Sequence, residues 1–259
     1  MNGKFLFLGT GASAGVPLVG CDCGVCKSAD PRNQRLRPSG VLRAGGKSFL
    51  IDIGPDFRQQ ALKFGLDHLD GLLLTHTHYD HVAGIDELRV LNYRQKRPFP
   101  CLLSEATLRD LKIRYYYLFQ EQGDGEVRAA QIDCHVLRGD AGKAVFLGAP
   151  IQYVTYWQAE MAVNGFRHGS FAYISDIQRY DDSIFDALAG VETLVLSSLR
   201  MEKSRVHFSF DEAVAFAERV GAKKTWLTHL SHYVDHEAAC RALPPHVQPS
   251  YDGLEVSYA

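Results

Sequence analysis

The sequence lacks a long apolar run near its start and an excess of charge of either sign. A run of only four apolar residues, at positions 5–8, precedes Gly9, which is too short for the core of a signal peptide or for a membrane span. The 28 Lys and Arg and the 30 Asp and Glu give a formal net charge of -2, so no general electrostatic attraction to nucleic acids or anionic membranes is expected. We therefore expect a cytoplasmic protein whose partners include neither nucleic acid nor membrane.

The chain also lacks a Pro/Ser-rich linker and a low-complexity tract. Its contents of 46% hydrophobic and 22% charged residues are typical of an ordinary globular protein. The sequence therefore predicts a single domain that spans residues 1–259.

Apolar runs that predict strands alternate with amphipathic segments that predict helices. A helix is predicted over residues 106–119 and extended chain over residues 145–157. A capping box formed by Ser209 and Glu212 predicts the start of a further helix, which ends near Gly221. Strands are predicted at residues 4–8, 41–43, 48–51, 72–74, 169–174, 191–196 and 224–227. This alternation predicts an α/β fold in which helices cover the sheets.

A cluster of histidines follows the apolar run at residues 72–74. It reads His76-Thr77-His78-Tyr79-Asp80-His81. Side chains two residues apart in an extended segment point the same way, so the first two histidines can face one metal ion. A turn would then bring Asp80 and His81 to a second position nearby. A chance set of loop or core histidines is the alternative, but three histidines and one aspartate within six residues favour a metal site.

Three of the six cysteines, Cys21, Cys23 and Cys26, lie within six residues. Because the cysteines of a cytoplasmic protein are expected to be reduced, this grouping favours a metal ion over disulfides. A tetrahedral structural zinc needs a fourth sulfur or nitrogen ligand. Buried small side chains or a redox site are the alternatives. The remaining cysteines, which are isolated and predicted to be structural, are Cys101, Cys134 and Cys240.

The His-x-His-x-Asp-His run after a leucine-rich strand resembles the signature of the metallo-β-lactamase superfamily. The resemblance extends to Gly9-Thr10-Gly11, to residues 49–54, to Asp176 after a strand and to Thr228-His229. The cysteine motif at residues 20–26 resembles that of the subfamily that contains the phosphoribosyl cyclic phosphate phosphodiesterase of phosphonate breakdown. The resemblance implies a four-layered αβ/βα sandwich, in which two mixed β-sheets pack face to face with helices outside.

The resemblance also implies two divalent metal ions, zinc or manganese, at the active site and one structural zinc. The first active-site ion would be bound by His76 and His78, and the second by Asp80, His81 and His229, with Asp176 as the bridging carboxylate. The structural zinc would be bound by Cys21, Cys23, Cys26 and His232. We predict catalytic roles for Asp80 and for His207. The latter is a candidate proton donor, with a solvated loop histidine as the alternative.

One position departs from the pattern of the resembled enzymes. These enzymes place a histidine ligand seven or eight residues before a Gly-aromatic pair. In this chain Gly165-Phe166 marks the pair, and the matching position is Gln158. A glutamine offers only a neutral amide oxygen, which is a weaker and harder donor than imidazole. We therefore expect the first metal ion to be held loosely or to be manganese rather than zinc.

The predicted reaction is hydrolysis of a small or cyclic phosphodiester by a metal-activated hydroxide. Four positive charges against Asp80, Asp176 and one hydroxide leave about one net positive charge for a phosphodiester monoanion. A lactone or thioester would be attacked by the same hydroxide, so the substrate class rests on the subfamily resemblance.

Two other functions stay open. A tRNA 3′-end nuclease shares the histidine run, but it should carry a projecting basic arm that the sequence lacks. A metal-binding protein with weak or no hydrolytic activity is the other alternative, because a pyrroloquinoline quinone biosynthesis protein has a similar cysteine motif. The expected partner is a small-molecule phosphodiester, and a homodimer is compatible with the sequence.

Overall fold

A computed structural model describes residues 2–120 and 129–259. Within these residues the strands form two sheets of seven strands each. The first sheet contains β1 (Gly3–Gly9), β2 (Ser39–Ala44), β3 (Lys47–Ile51), β4 (Gly71–Leu73), β5 (Phe99–Leu103), β6 (Ile132–Val136) and the last strand of the chain, β14 (Glu255–Tyr258). The second contains β7 (Ala141–Phe146), β8 (Ala149–Gln158), β9 (Met161–His168), β10 (Phe171–Ile174), β11 (Thr193–Ser197), β12 (Lys224–Thr228) and β13 (Val247–Pro249).

Both sheets are mixed. The first has the order β14-β1-β2-β3-β4-β5-β6, and the second has the order β13-β12-β11-β10-β9-β8-β7. Strands β3 to β6 run parallel to one another, and so do β10 to β13. The other neighbours are antiparallel.

Helices occupy the connections between the strands. They are α1 (Phe57–Lys63), α2 (Tyr79–Val82), α3 (Leu88–Gln95), α4 (Glu105–Arg114), α5 (Ile184–Leu188), α6 (Phe210–Val220) and α7 (His236–Ala242), with 3-10 turns at Pro31–Asn33, Ile85–Glu87 and Tyr116–Phe119. The predicted capping box is confirmed at the start of α6. The Ser209 side chain accepts from the Glu212 N–H, and the Glu212 carboxylate accepts from the Ser209 N–H. The helix ends at Val220 and is followed by Gly221, whose φ of 74° lies in the left-handed region that favours glycine.

The alternation of side chains along β1 shows how the layers are separated. Phe5 and Phe7 lie in a buried cluster that also contains Phe171 of the second sheet. Leu6 and Leu8 face the other way, into a cluster shared with the helices that cover the first sheet. A third cluster packs α5, α6 and α7 against the second sheet. The molecule is therefore a sandwich of two mixed sheets with helices outside, which confirms the predicted fold class.

The strands deliver polar residues to one edge of the sandwich. Asp52 follows β3, His76 comes shortly after β4, Asp176 follows β10 and His229 follows β12. The carboxyl ends of parallel strands meet at the same edge of a sheet. Strand β8 is antiparallel to β9, which is antiparallel to β10, so Gln158 at the end of β8 reaches that edge too.

Two predicted elements differ from those in the structure. The helix predicted over residues 106–119 ends at Arg114, where Tyr115 leaves the helical conformation with φ -122° and ψ 42°, and the chain continues as the 3-10 turn Tyr116–Phe119. The extended segment predicted over residues 145–157 is interrupted by the turn between β7 and β8. Leu147 and Gly148 there have φ values of 50° and 89°, as a tight hairpin turn requires.

Strands β5, β6, β9, β13 and β14 were not predicted. Pro100 disfavours a central strand because it cannot donate to a ladder, yet β5 pairs on both sides. Among the described residues, no helix is long and apolar enough to cross a membrane.

Candidate metal centre

His76 and His78, which were predicted to share one metal ion, lie beside each other after β4. Nε2 of His76 is 2.9 Å from Nδ1 of His78. The other ring nitrogen of His76 is hydrogen-bonded to the Thr75 hydroxyl at 2.9 Å. The extended backbone of His78, with φ -62° and ψ 152°, therefore brings two imidazole nitrogens to one point.

A second group is formed by Asp80, His81 and His229. Helix α2 begins directly after His78, so Asp80 and His81 lie in its first turn. Oδ2 of Asp80 is 3.4 Å from Nε2 of His81 and 3.2 Å from Nε2 of His229. Two ligand atoms about 2.0–2.1 Å from a tetrahedral ion are separated by about 3.3 Å. These three side chains therefore have the spacing of ligands around one ion.

Asp176 lies between the two groups. Its Oδ2 is 3.1 Å from Nε2 of His81, and its Oδ1 is 3.3 Å from Nε2 of His229. Ligand atoms of Asp176, His81 and His76 all lie within 4.8 Å of one another. Burial would raise the pKa of Asp176, but the imidazoles of His229 and His81 outweigh it and hold this pKa well below 3.8. The structure thus places Asp176 where a bridging carboxylate was expected.

Asp52, which had no predicted role, orients His81. Its Oδ2 accepts from Nδ1 of His81 at 2.7 Å, and its Oδ1 accepts from the Thr75 N–H and hydroxyl at 2.9 and 3.0 Å. A proton on Nδ1 leaves the Nε2 lone pair of neutral His81 directed at Asp80 and Asp176. The only sequence signal for Asp52 was its place after a strand, on a segment that resembles the superfamily.

Backbone conformation also turns side chains into the centre. Of the six residues other than glycine with positive φ in the described part of the chain, four lie here, namely Asp52 (59°), Ala159 (48°), Asp176 (57°) and His229 (61°). Such conformations are uncommon, although Asp and His adopt them more readily than most residues. They concentrate at functional sites, where the surrounding structure enforces them. The sequence carried no signal for them.

Gln158 and His207 meet at the side of Asp176. Nε2 of Gln158 is 3.2 Å from Oδ1 of Asp176 and 3.0 Å from Nε2 of His207. His207 is only 6% exposed, which contradicts the alternative of a solvated loop histidine. Burial, together with the charge of His229, lowers the pKa of His207 to about 4, so its imidazole is neutral at neutral pH.

A cleft of about 740 Å³ opens onto the centre. Besides Asp80, Gln158 and His207, its walls include Ser13, Tyr79, Glu160, Met161 and Val206. Arg200 does not line this cleft, and its guanidinium lies 5.4 Å from the ring centre of Tyr233. Lys203 and Arg205 are exposed and do not line the cleft either.

The cysteine cluster forms a separate site with His232. Nδ1 of His232 is 3.4 Å from Sγ of Cys21, 3.6 Å from Sγ of Cys23 and 3.8 Å from Sγ of Cys26. Tetrahedral zinc with Zn–S of about 2.3 Å and Zn–N of about 2.0–2.1 Å separates sulfur from nitrogen by about 3.6 Å. The Cys26 N–H lowers the pKa of Cys23 to about 6, whereas burial raises the pKa of Cys26 to about 11. The four side chains thus have the spacing of a zinc site.

Two comparisons with known proteins agree with this geometry. Residues 47–230 match the family model described as a beta-lactamase superfamily domain. A crystal structure described as a new diphosphatase from the PhnP family is 36% identical to this chain, with a TM-score of 0.90, and the match covers 100% of this chain and 98% of that chain. The chain belongs to the PhnP family of the metallo-β-lactamase superfamily.

Other similar proteins are more distant or longer. The octanoyltransferase of Porphyromonas gingivalis is 32% identical over 255 residues, which cover 97% of this chain but 51% of the relative. The chain therefore spans about half the length of that protein. Zinc-bound PqqB from Methylobacterium extorquens has a TM-score of 0.74 and 17% identity, and covers 98% of this chain. At that identity the similarity shows the fold alone.

The metallo-β-lactamase fold implies divalent metal ions, and the residues present fit them. Burial would lower the pKa of His81, but the carboxylates of Asp176 and Asp80 raise it well above 6.5. These carboxylates therefore favour a positive charge at Nε2 of His81, which is either a proton or, when His81 is neutral, a bound cation. His81 Nε2 has no hydrogen-bond partner in residues 2–120 and 129–259, although Asp176 lies 3.1 Å away. A lone pair on His81 Nε2 would repel the carboxylate oxygen of Asp176 at this distance. A cation bound by both atoms would remove that repulsion, so the two atoms have the arrangement of metal ligands.

Proposed function

We propose that this protein is a metal-dependent phosphodiesterase that acts on a small or cyclic phosphodiester. The observation that carries the proposal is a buried cluster in which the imidazole nitrogens of His76, His81 and His229 surround the carboxylates of Asp80 and Asp176. The similarity to a protein described as a PhnP-family diphosphatase supports phosphorus as the reacting centre.

In this proposal, two divalent ions are held by the residues around Asp176. When bound, they would lower the pKa of a water molecule and offset the negative charge of the phosphoryl oxygens. Two such ions carry four positive charges, whereas the carboxylates of Asp80 and Asp176 carry two negative charges. The net positive charge would attract a phosphodiester monoanion. We therefore expect phosphomonoesters, which carry a second negative charge, to be poorer substrates.

The protein's own residues would orient the metal ligands and shape the cleft. The hydrogen bond from His81 to Asp52 holds the imidazole in one orientation. Ser13 also lines the cleft, and we expect its hydroxyl to donate to a substrate oxygen. The apolar side chains of Tyr79, Met161 and Val206 at the same cleft suit an organic group on the phosphate. A volume of about 740 Å³ is that of a small-molecule site.

We also propose that Cys21, Cys23, Cys26 and His232 bind one structural zinc. A zinc site of this kind requires reduced cysteines, so we also propose a reducing compartment such as the cytoplasm.

A diphosphate diester is a second candidate substrate. It is favoured by the description of the 36% identical neighbour as a diphosphatase. The same centre would serve, because both substrates require attack at phosphorus with the negative charge held by the metal ions.

The test is turnover of bis(p-nitrophenyl) phosphate by the metal-loaded protein. We expect activity that is lost on chelation and in Asp80→Asn, and that is retained in His68→Ala, which alters an exposed histidine outside the cluster. A diphosphate diester, a lactone, a β-lactam and a tRNA precursor should be assayed in parallel. Cleavage of the lactone or the tRNA precursor without any phosphodiester or diphosphate turnover would contradict the proposal.

A further inference from the structure

A third group of potential ligands lies beside the two already described. Ligand atoms of Asp176, His207 and His229 all lie within 4.8 Å of one another, and all three residues are buried. The ligand set implied by the family resemblance does not include His207. Its position therefore needs an explanation of its own.

The contact between His207 and Asp176 is not a hydrogen bond. Nδ1 of His207 is 3.6 Å from Oδ1 of Asp176, beyond the usual range for an N–H donor and a carboxylate. The ring of His207 lies 4.6 Å from that of His229 with an interplanar angle of 33°. Two nitrogen or oxygen ligands of one tetrahedral ion are about 3.3 Å apart, and the 3.6 Å between His207 and Asp176 is close to that spacing. His207 and Asp176 are therefore related as two ligands would be.

Gln158 adds a polar atom on the same side. Its Oε1 is buried and has no hydrogen-bond partner among the described residues, while its Nε2 lies within 3.2 Å of Asp176 and His207. The two ends of an amide are assigned from the hydrogen-bond network and are exchanged by a half-turn. After such a half-turn, an amide oxygen, a carboxylate oxygen and an imidazole nitrogen would converge, and a cation could then satisfy all three.

We propose that His207 is a ligand of the active-site ion that Asp176 and His229 would hold, on the Gln158 side of Asp176. The inference rests on the metal centre of the proposed function but not on its substrate. A ring nitrogen that binds an ion has no proton to transfer. In this assignment the nitrogen of His207 that faces Asp176 therefore cannot be the proton donor.

Mn²⁺ is a suitable probe, because thiolate sites such as the cysteine cluster bind it poorly. Protein freed of active-site metal is titrated with Mn²⁺, and the free ion is measured by its electron paramagnetic resonance signal. We expect His207→Ala to weaken at least one Mn²⁺ site by more than about 100-fold, since loss of a ligand exceeds the 10–100-fold typical of residues that only orient ligands. Adding Gln158→His to His207→Ala should restore binding, because an imidazole returns to the same side of Asp176.

The controls separate this inference from its alternatives. His68→Ala should leave Mn²⁺ binding unchanged, and thermal melting should show that each variant is folded. If His207→Ala is unfolded, His207→Gln provides the same comparison with a side chain closer in size.

Unchanged Mn²⁺ affinity in a folded His207 variant overturns the inference. His207 would then act in proton transfer, and the variant would show an altered pH profile of kcat. Mn²⁺ binding without phosphodiester or diphosphate turnover contradicts only the proposed function. No Mn²⁺ binding by the unaltered protein overturns both.

Discussion

Replacing Asp52 by Asn tests whether the orientation of His81 sustains the metal centre. Asp52 is fully buried, and its φ of 59° is one that asparagine also tolerates. The substitution therefore changes charge and hydrogen bonding with little effect on shape. Oδ1 of an asparagine can still accept from Thr75, as Oδ1 of Asp52 does.

The substitution is expected to change which ring nitrogen of His81 carries the proton. In Asp52→Asn, an NH₂ group takes the place of Oδ2, which lies 2.7 Å from Nδ1 of His81. Two donors cannot share one hydrogen bond, so Nδ1 must give up its proton and Nε2 must take one. The proton then points at Asp80 and Asp176, in the position of the ion. We expect metal affinity at that ion to fall by about 10–100-fold, or roughly 1.4–2.7 kcal/mol.

Isothermal titration with Zn²⁺ or Mn²⁺ measures the affinity, and ¹⁵N NMR of the imidazole identifies the protonated nitrogen. Asp70→Asn is a matched control, because Asp70 accepts from the Ser48 N–H at 2.9 Å and lies outside the ligand groups. The reasoning is refuted if Asp52→Asn binds metal as tightly as the unaltered protein, or if His81 keeps its proton on Nδ1.

Three further substitutions test other parts of the structure. Cys23→Ser should remove one zinc per chain and lower Tm by roughly 5–10 °C, because the unfolded chain holds no preformed site; zinc analysis and calorimetry measure both. Thr77→Val removes the hydroxyl that donates to Asp110 and should cost about 1–3 kcal/mol of unfolding free energy in urea, with weaker metal binding because Thr77 lies between His76 and His78. His236→Gln should flatten the acid dependence of stability between pH 6.5 and pH 4, measured by urea unfolding. Burial and the charge of Arg32 lower the pKa of His236 from 6.5 to about 4, so stability is fully present above pH 6.5 and falls by about 1–3 kcal/mol as the pH drops towards 4.

Each of these predictions has a contrary outcome. Unchanged zinc content in Cys23→Ser, with Cys240→Ser as the comparison, would show that the cluster is not a zinc site. Unaltered stability of Thr77→Val would mean that the contact with Asp110 contributes nothing. Equal pH profiles for His236→Gln and the unaltered protein would show that His236 is protonated to the same extent in the folded and unfolded states.

The sequence by itself determined the fold class and the local parts of the site. Period-two alternation, as at Phe5 and Leu6, assigns side chains to the two faces of a strand, and the spacing of His76 and His78 places two nitrogens together in extended chain. These features depend on neighbours a few residues apart, so local geometry is sufficient to predict them. The turn at Leu147 and Gly148 is also local, but it could not be predicted, because leucine is not a residue type that indicates a positive φ.

Only the tertiary structure decided which distant residues meet. His232 reaches Cys23 across 209 positions and His229 reaches Asp80 across 149; the sequence alone cannot measure such contacts, because they depend on the order of strands and the register of both sheets. The same holds for Asp52, which orients His81 because β3 and β4 are parallel neighbours. It holds equally for His207, which contacts Gln158 because the loop after β11 folds back over the end of β8. The local sequence determines where each strand ends. The packing of the two sheets determines that these ends converge at one edge.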